Sequence, residues 1–324
     1  MNNAFSWIAR LATLLALLVV TIGAWVRLTD AGLGCPDWPG CYGRLVVSQS
    51  IASDPGAAPL RDARPLDTGK AWREMIHRYL ASTLGLLCVA LAAIAWRKRA
   101  DPGQPWRLPL ALVGLVVFQG LLGMWTVTLL LKPIVVVAHL LGGLSTLALL
   151  FWLGRRGAAP LSVGPAVRRL GIVALAALAL QIALGGWTSA NYAAVACPDF
   201  PTCQTQWWPE IADFDQGFVL WRGIGIDYEG GVLDHPARVA VHFTHRLGAV
   251  LALLAVGAFG VALARRREAR LAGTAVLVAL ACQIAIGVGI VLFEVPLSLA
   301  VAHNGVAALL LLAVINAHRR IWQS

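Results

Sequence analysis

Charge is scarce in this 324-residue chain: Asp, Glu, Lys and Arg make up 13% of it, against 59% hydrophobic residues and a mean hydropathy of +0.73. A soluble globular core is excluded as the main architecture, because soluble domains carry roughly twice that share of charge. Acid is scarcer than base, and the net charge of +10 raises nucleic acid as a partner. The distribution removes that reading. Arg97, Lys98, Arg99 and Arg107 form one basic cluster, Arg155, Arg156, Arg168 and Arg169 a second, and Arg265, Arg266, Arg267 and Arg270 a third, each lying between apolar runs. Regular polar and apolar alternation is missing too, which excludes a β-barrel as the way of crossing a bilayer.

What the sequence does contain is long apolar runs. Spanning the hydrocarbon takes about 20 such residues. Eight runs qualify: Trp7–Val26, Ile76–Trp96, Leu108–Thr128, Ile134–Gly154, Leu170–Ala190, Val239–Leu263, Leu271–Phe293 and Leu297–Ala317. The first follows a polar start carrying Arg10, as a secretory leader would, but no small-residue cleavage site follows it promptly. It is read as a span. The basic clusters fall between spans two and three, four and five, and six and seven, with Arg10, Arg319 and Arg320 at the ends; the short loops of opposite parity carry only Lys132 and Glu294. The positive-inside rule then predicts cytoplasmic termini in the inner or plasma membrane of the cell, with the long loops 28–72 and 191–237 facing outward.

The chain repeats itself. Gly23-Ala24-Trp25 and the segment Cys35-Pro36-Asp37-Trp38-Pro39-Gly40-Cys41 return as Gly185-Gly186-Trp187 and Cys197-Pro198-Asp199-Phe200-Pro201-Thr202-Cys203. His77-Arg78 returns as His245-Arg246, Gln119 as Gln283, and His139 as His303. The expected fold is therefore an all-α integral membrane protein whose eight helices form two tandem four-helix bundles, residues 1–156 and 157–324. An even number of spans per copy makes the copies parallel, so matched residues are expected at one depth.

Four of the seven histidines, His77, His139, His245 and His303, stand at matched positions near the outward ends of even-numbered spans. Ionisable groups inside a membrane are costly and mark function. Two imidazoles from alternate helices of one bundle suit the axial positions of haem iron, whereas zinc wants three or four ligands and the matched residues offer no such set. Respiratory cytochromes b stack two haems on widely spaced histidines; here one histidine per helix predicts one haem per half. Arg78 and Arg246 are placed either to meet haem propionates or to snorkel to the interface. Glu74 stands one helical turn before His77, and its counterpart is His242. A carboxylate beside a haem edge suits proton transfer, although an acid in a first helical turn is also favoured by the helix dipole. His235 and His318 are expected to be structural or solvated.

Each loop cysteine pair, Cys35 with Cys41 and Cys197 with Cys203, encloses five residues including two prolines. That favours a tight turn and a structural disulfide on an oxidising face; a strained, redox-active pair is the alternative, though the C-x-x-C spacing of oxidoreductases is absent. Cys88 and Cys282 read as small buried apolar residues within spans. Trp25 and Trp187 fit an interfacial aromatic belt. Residues 50–70 read as a polar excursion without helical pattern, a cover for the first site.

Taken together, Glu74-Met75-Ile76-His77-Arg78, His139, the stretch from His242 to Arg246, His303 and the two Cys-Pro-Asp-aromatic-Pro-x-Cys loops resemble the haem A synthases over nearly the whole chain. The resemblance implies oxidation of one methyl group of haem O to the formyl group of haem A by successive hydroxylations. It implies a haem b cofactor between His245 and His303, and haem O received beside Glu74 between His77 and His139. It also implies a haem O synthase (a protohaem farnesyltransferase) and cytochrome oxidase as partners, with the lipid bilayer around it, no nucleic acid, and a homo-oligomer left open. Two other functions fit the histidines: a bis-histidine cytochrome passing electrons from quinol to an outer acceptor, and a haem carrier or exporter. Neither accounts for the contrast between Glu74 and His242.

Overall fold

A computed structural model describes residues 3–101, 103–155 and 159–323. Arg156 and the expected junction at 156–157 lie outside them. The chain forms helices α1 (Asn3–Leu28), α2 (Ala58–Ala63), α3 (Thr68–Arg97), α4 (Arg107–Thr128), α5 (Pro133–Gly154), α6 (Pro165–Ala190), α7 (Phe214–Gly217), α8 (His235–Ala264), α9 (Arg270–Leu292) and α10 (Leu297–Trp322). Among the described residues, eight of these are long and apolar enough to cross a membrane, all but α2 and α7. Each expected span is present.

Two helices begin well before their apolar runs. The Asp67 carboxylate accepts from Lys70 N at 2.9 Å and starts α3 at Thr68, while Asp234 accepts from Ala237 N at 3.0 Å and starts α8 at His235. Side-chain caps of this kind satisfy amide donors that the helix leaves unpaired. The added turns are polar, so hydropathy does not register them. In α3 their effect is to carry Glu74 on rigid helix rather than on loop; His242 lies within the apolar run of α8 itself. The turns leaving α4 and α9 also match: Leu130 and Leu131 have φ of 50° and 61°, Glu294 and Val295 57° and 60°. Both close with a backbone bond five residues back, from Leu131 N to Thr126 O (2.8 Å) and from Val295 N to Ile290 O (2.7 Å).

The chain divides into two compact units, Met1–Thr146 with Leu220–Val232, and Leu147–Val219 with Leu233–Ser324. In the first, α1 packs on α3 and α3 on α4; in the second, α6 packs on α8, α8 on α9 and α9 on α10. The excursion expected to lack pattern is in fact ordered by 3-10 turns at Gln49–Ser53 and Pro55–Ala57 and by α2. Pieces this short escape periodicity. Ile51 and Ala57 pack there with Tyr42, Ala71, Met75 and the cysteines Cys35 and Cys41 in one buried cluster. Cys88 is buried as expected, but Cys282 is exposed on its helix, in a position where an apolar thiol costs nothing against lipid. Trp187 is buried too, not part of a belt, and donates from Nε1 to Gly217 O at 2.9 Å.

The segment Leu220–Val232 is held in the first unit by several kinds of contact. Tyr228 N donates to Leu130 O at 3.0 Å, and the Tyr228 ring is buried with Leu33, Val127 and Leu131. Arg64 pairs with Asp227 at 2.8 Å and with Glu229. Lys132, 1% exposed, places its ammonium 3.7 Å from the Trp221 ring centroid and donates to Gly223 O. Truncating Tyr228 to Ala removes the buried ring from this clasp. Trypsin cleavage at Arg222 of the detergent-solubilised protein should then accelerate about tenfold, equivalent to about 1.4 kcal/mol of local stability; an unchanged cleavage rate would show that the ring does not hold the segment.

Candidate haem-binding sites

Each unit brings two histidines together. In the first, His77 on α3 and His139 on α5 lie close enough to interact electrostatically; in the second, His245 on α8 and His303 on α10 do the same. All four sit in the spans and are half-buried. The Nδ1 atoms of His77, His139 and His303 are buried without a hydrogen-bond partner. A buried ring nitrogen of this kind is rare in a finished core and fits a group still to be bound.

The rings rest on glycine. A Cβ placed on Gly23 of α1 would lie 2.9 Å from His77 Cε1, and one on Gly185 of α6 would lie 3.1 Å from His245 Cε1. Gly287 of α9 stands in the same relation to His303 at 3.0 Å, and Gly123 of α4 to His139 at 3.6 Å. Every histidine therefore has a repeat-matched glycine on a neighbouring helix, which lets that helix approach the ring. Reading the sequence found Gly23 and Gly185 as parts of a repeat but not as seats. A second signal was there in Gly123 and Gly287, at the same spacing from their histidines.

Above the rings, an arginine knits each helix to its cysteine loop. Arg78 donates from Nη1 to Asp37 O (3.0 Å) and Gly40 O (2.5 Å), and from Nη2 to Glu74 Oε1 (2.5 Å). Arg246 donates to Asp199 O (2.7 Å), Thr202 O (2.6 Å) and Cys197 O (2.7 Å). The loops are closed by disulfides Cys35–Cys41 and Cys197–Cys203. In each, an Asp cups the turn: Asp37 accepts from Tyr42 N and Gly43 N, Asp199 from Thr205 N and the Thr202 hydroxyl. Sequence reading assigned the two arginines to propionates or the interface and did not see this bracing. Arg246 Nε remains buried without a partner.

Glu74 and His242 do one structural task with different chemistry. The Glu74 Oε2 accepts from Cys35 N at 2.8 Å; His242 Nδ1 accepts from Cys197 N at 3.2 Å. His242 must then hold its proton on Nε2. Glu74 is also ion-paired with Arg78 and 5% exposed. The first site thus carries a buried carboxylate one turn from His77, and the second carries an imidazole there. The two remaining histidines are structural, as expected. His235, at the first position of α8, meets Gln204 Nε2 at 3.2 Å, and His318 Nε2 donates to Gly171 O at 2.8 Å.

Residues 6–315 match the family model described as Cytochrome oxidase assembly protein (COX15-CtaA). The chain belongs to this family. It is 42% identical over 98% of its length to a protein of Shewanella oneidensis named "Heme A synthase", covering 96% of that relative. Proteins of the same name from Rhizorhabdus wittichii and Caulobacter vibrioides are each 30% identical, over 97% and 94% of this chain, and are covered to 92%. Family membership agrees with the resemblance read from the histidine and cysteine motifs.

The bracing has a measurable consequence. Arg246→Met keeps the length and apolar stem but deprives three carbonyl oxygens of a charged donor, each such bond being worth about 1.5–3 kcal/mol. Its thermal unfolding midpoint should fall by several degrees. A midpoint equal to that of the parent protein would mean that these bonds are replaced by water at no cost.

Proposed function

We propose that this chain is a haem A synthase, a membrane oxidoreductase that converts a methyl group of haem O to the formyl group of haem A. The observation that carries the reading is the pair of glycine-seated histidine couples in a chain 42% identical to a relative of that name. The buried Glu74 beside only one couple gives the reading its direction.

In this reading the second unit holds a haem b on His245 and His303. A haem b there supplies single electrons. His77 and His139 would receive haem O, their rings seated against Gly23 and Gly123. Glu74 would accept or relay protons at its carboxylate beside the substrate, including the transfer from one hydroxyl of the diol to the other, which leaves as water. Its pairing with Arg78 and its contact with Cys35 N fix its orientation for that exchange. Arg78 and Arg246 would offer their remaining N–H groups to the haem propionates. In this reading both termini are cytoplasmic and both sites lie toward the outer face, an orientation that the distribution of basic clusters supports. The farnesyltransferase that makes haem O and the cytochrome oxidase that takes haem A are the expected partners.

The decisive measurement is chemical. The chain is expressed with a haem O synthase under air, and the non-covalent haems are extracted and weighed. Hydroxylated and formyl products are expected; haem O alone would exclude synthase activity and leave a cytochrome or a carrier. Glu74→Gln should keep its bound haem and lose at least about 100-fold in product, within the range assigned to one acid–base group. Undiminished product yield in that variant would remove the carboxylate from the chemistry.

A further inference from the structure

Away from the histidine couples, a cavity of about 360 Å³ opens at the end of the second unit that carries its basic clusters. Two pieces of chain wall it: the segment Leu161–Val163, which precedes α6, and the turn Arg266–Ala269, which joins α8 to α9. Both are fixed in place. Leu161 N donates to Arg320 O at 2.8 Å, Arg320 Nε donates to Ala159 O at 3.0 Å, and the Leu161 and Val163 side chains are buried. The turn is closed by bonds from Arg266 N to Leu263 O (2.9 Å) and from Ala269 N to Arg266 O (3.0 Å).

The lining is cationic. Arg266, Arg267 and Ser162 are exposed there, Arg265 and Arg270 flank them in sequence, and among the described residues none of these four arginines makes an ion pair. Glu268 is the one carboxylate in the lining, and it is exposed as well. Orienting a membrane protein takes basic charge near the bilayer but no cavity, so topology alone does not account for the arrangement. Beside the cavity, α9 turns a bare apolar stripe outward: Leu271 is 86% exposed, Val278 57%, and Cys282 is exposed one turn further on. Positions seven and eleven residues after Leu271 fall on the same side of a helix. A cationic cavity that continues into an apolar stripe on a spanning helix has the two-part chemistry of a phospholipid.

We propose that this cavity binds the phosphodiester headgroup of an anionic phospholipid, with Arg266 and Arg267 on the phosphate oxygens and an acyl chain along Leu271, Val278 and Cys282. A guanidinium presents a planar fork of donors that matches phosphate oxygens two at a time. Basic pockets on the cytoplasmic side of membrane proteins hold anionic headgroups in this way, and that is the side on which the proposed orientation puts this end of the unit. The Ser162 hydroxyl and the Glu268 carboxylate suit the hydroxyl groups of a head alcohol such as glycerol. Four arginines against one carboxylate favour a headgroup without an ammonium of its own. The site does not depend on the haem assignments.

The test uses the full-length protein, purified in detergent and followed by native mass spectrometry as phosphatidylglycerol, phosphatidylethanolamine or inorganic phosphate is added. One tightly held phosphatidylglycerol per chain is expected, with phosphatidylethanolamine held at least about tenfold more weakly and inorganic phosphate unable to displace the lipid. Arg266→Gln combined with Arg267→Gln should weaken phosphatidylglycerol at least about tenfold, since each cation near an anionic lipid surface contributes a factor of about five. Arg97→Gln combined with Lys98→Gln removes equal charge from the basic cluster after α3 and should leave that binding unchanged. Equal losses from the two pairs would mean diffuse attraction to charge and overturn the inference, as would phosphatidylethanolamine bound as tightly as phosphatidylglycerol. Displacement of the lipid by inorganic phosphate would assign the cavity to free phosphate and overturn the lipid. Ser162→Trp fills the cavity from an exposed position and alters no charge, so it decides the matter if the arginine variant does not accumulate: the same loss supports the site, and unchanged binding overturns it.

Discussion

An imidazole that is to hold iron has to be buried, uncharged and still, and an apolar helix bundle has few means of holding a polar ring still. Here the means is close approach. Four helices come near enough to four histidines that the facing residue has to be glycine, or nearly so, with three of the four hypothetical Cβ distances at 3.1 Å or less. Each glycine lets backbone take the place of a side chain against the ring. The packing of α1 on α3 and of α6 on α8 follows from this, since Gly23 and Gly185 sit where those pairs must touch.

Once the rings are fixed, the loops have to be fixed to the same helices. α3 and α8 are extended past their apolar runs by Asp caps, and Glu74 on the added turn of α3 and His242 in the first turns of α8 meet the cysteine loops. One arginine per helix then ties down the carbonyl oxygens of the loop, where a disulfide, a cupping Asp and a guanidinium constrain seven residues. A loop this heavily braced positions whatever lies beneath it better than a mobile cover would.

The sequence made the spans legible because each run is continuous, and it made the histidines legible because each recurs. It concealed whatever depends on a partner distant in the chain. A glycine seat reads as a permissive residue until the ring above it is known. The early starts of α3 and α8 and the single turns of α2 lie in polar segments that carry no period. Arg78 and Arg246 look like propionate or interface residues because a backbone carbonyl has no letter in the sequence. The segment Leu220–Val232 belongs by sequence to the second long loop, yet it clusters with the first unit through Tyr228, Arg64 and Lys132. Contiguity alone points the other way.

The departures from symmetry say more than the symmetry does. A duplicated bundle starts with equal halves, and a position that touches its neighbour cannot change alone without a clash or a void. Gln181 with Gly248 is such a coupled pair, a Cβ on the glycine falling 2.3 Å from Gln181 Oε1, and Gln119 with Gly142 forms one like it in the first unit. Glu74 against His242 is different in kind. Both accept the same loop amide, so the fold tolerates either, and what distinguishes them is charge. Glu74 and His242 each stand one turn before a histidine that would meet iron and each holds its cysteine loop, so this divergence changes the charge beside the site and leaves the architecture as it is.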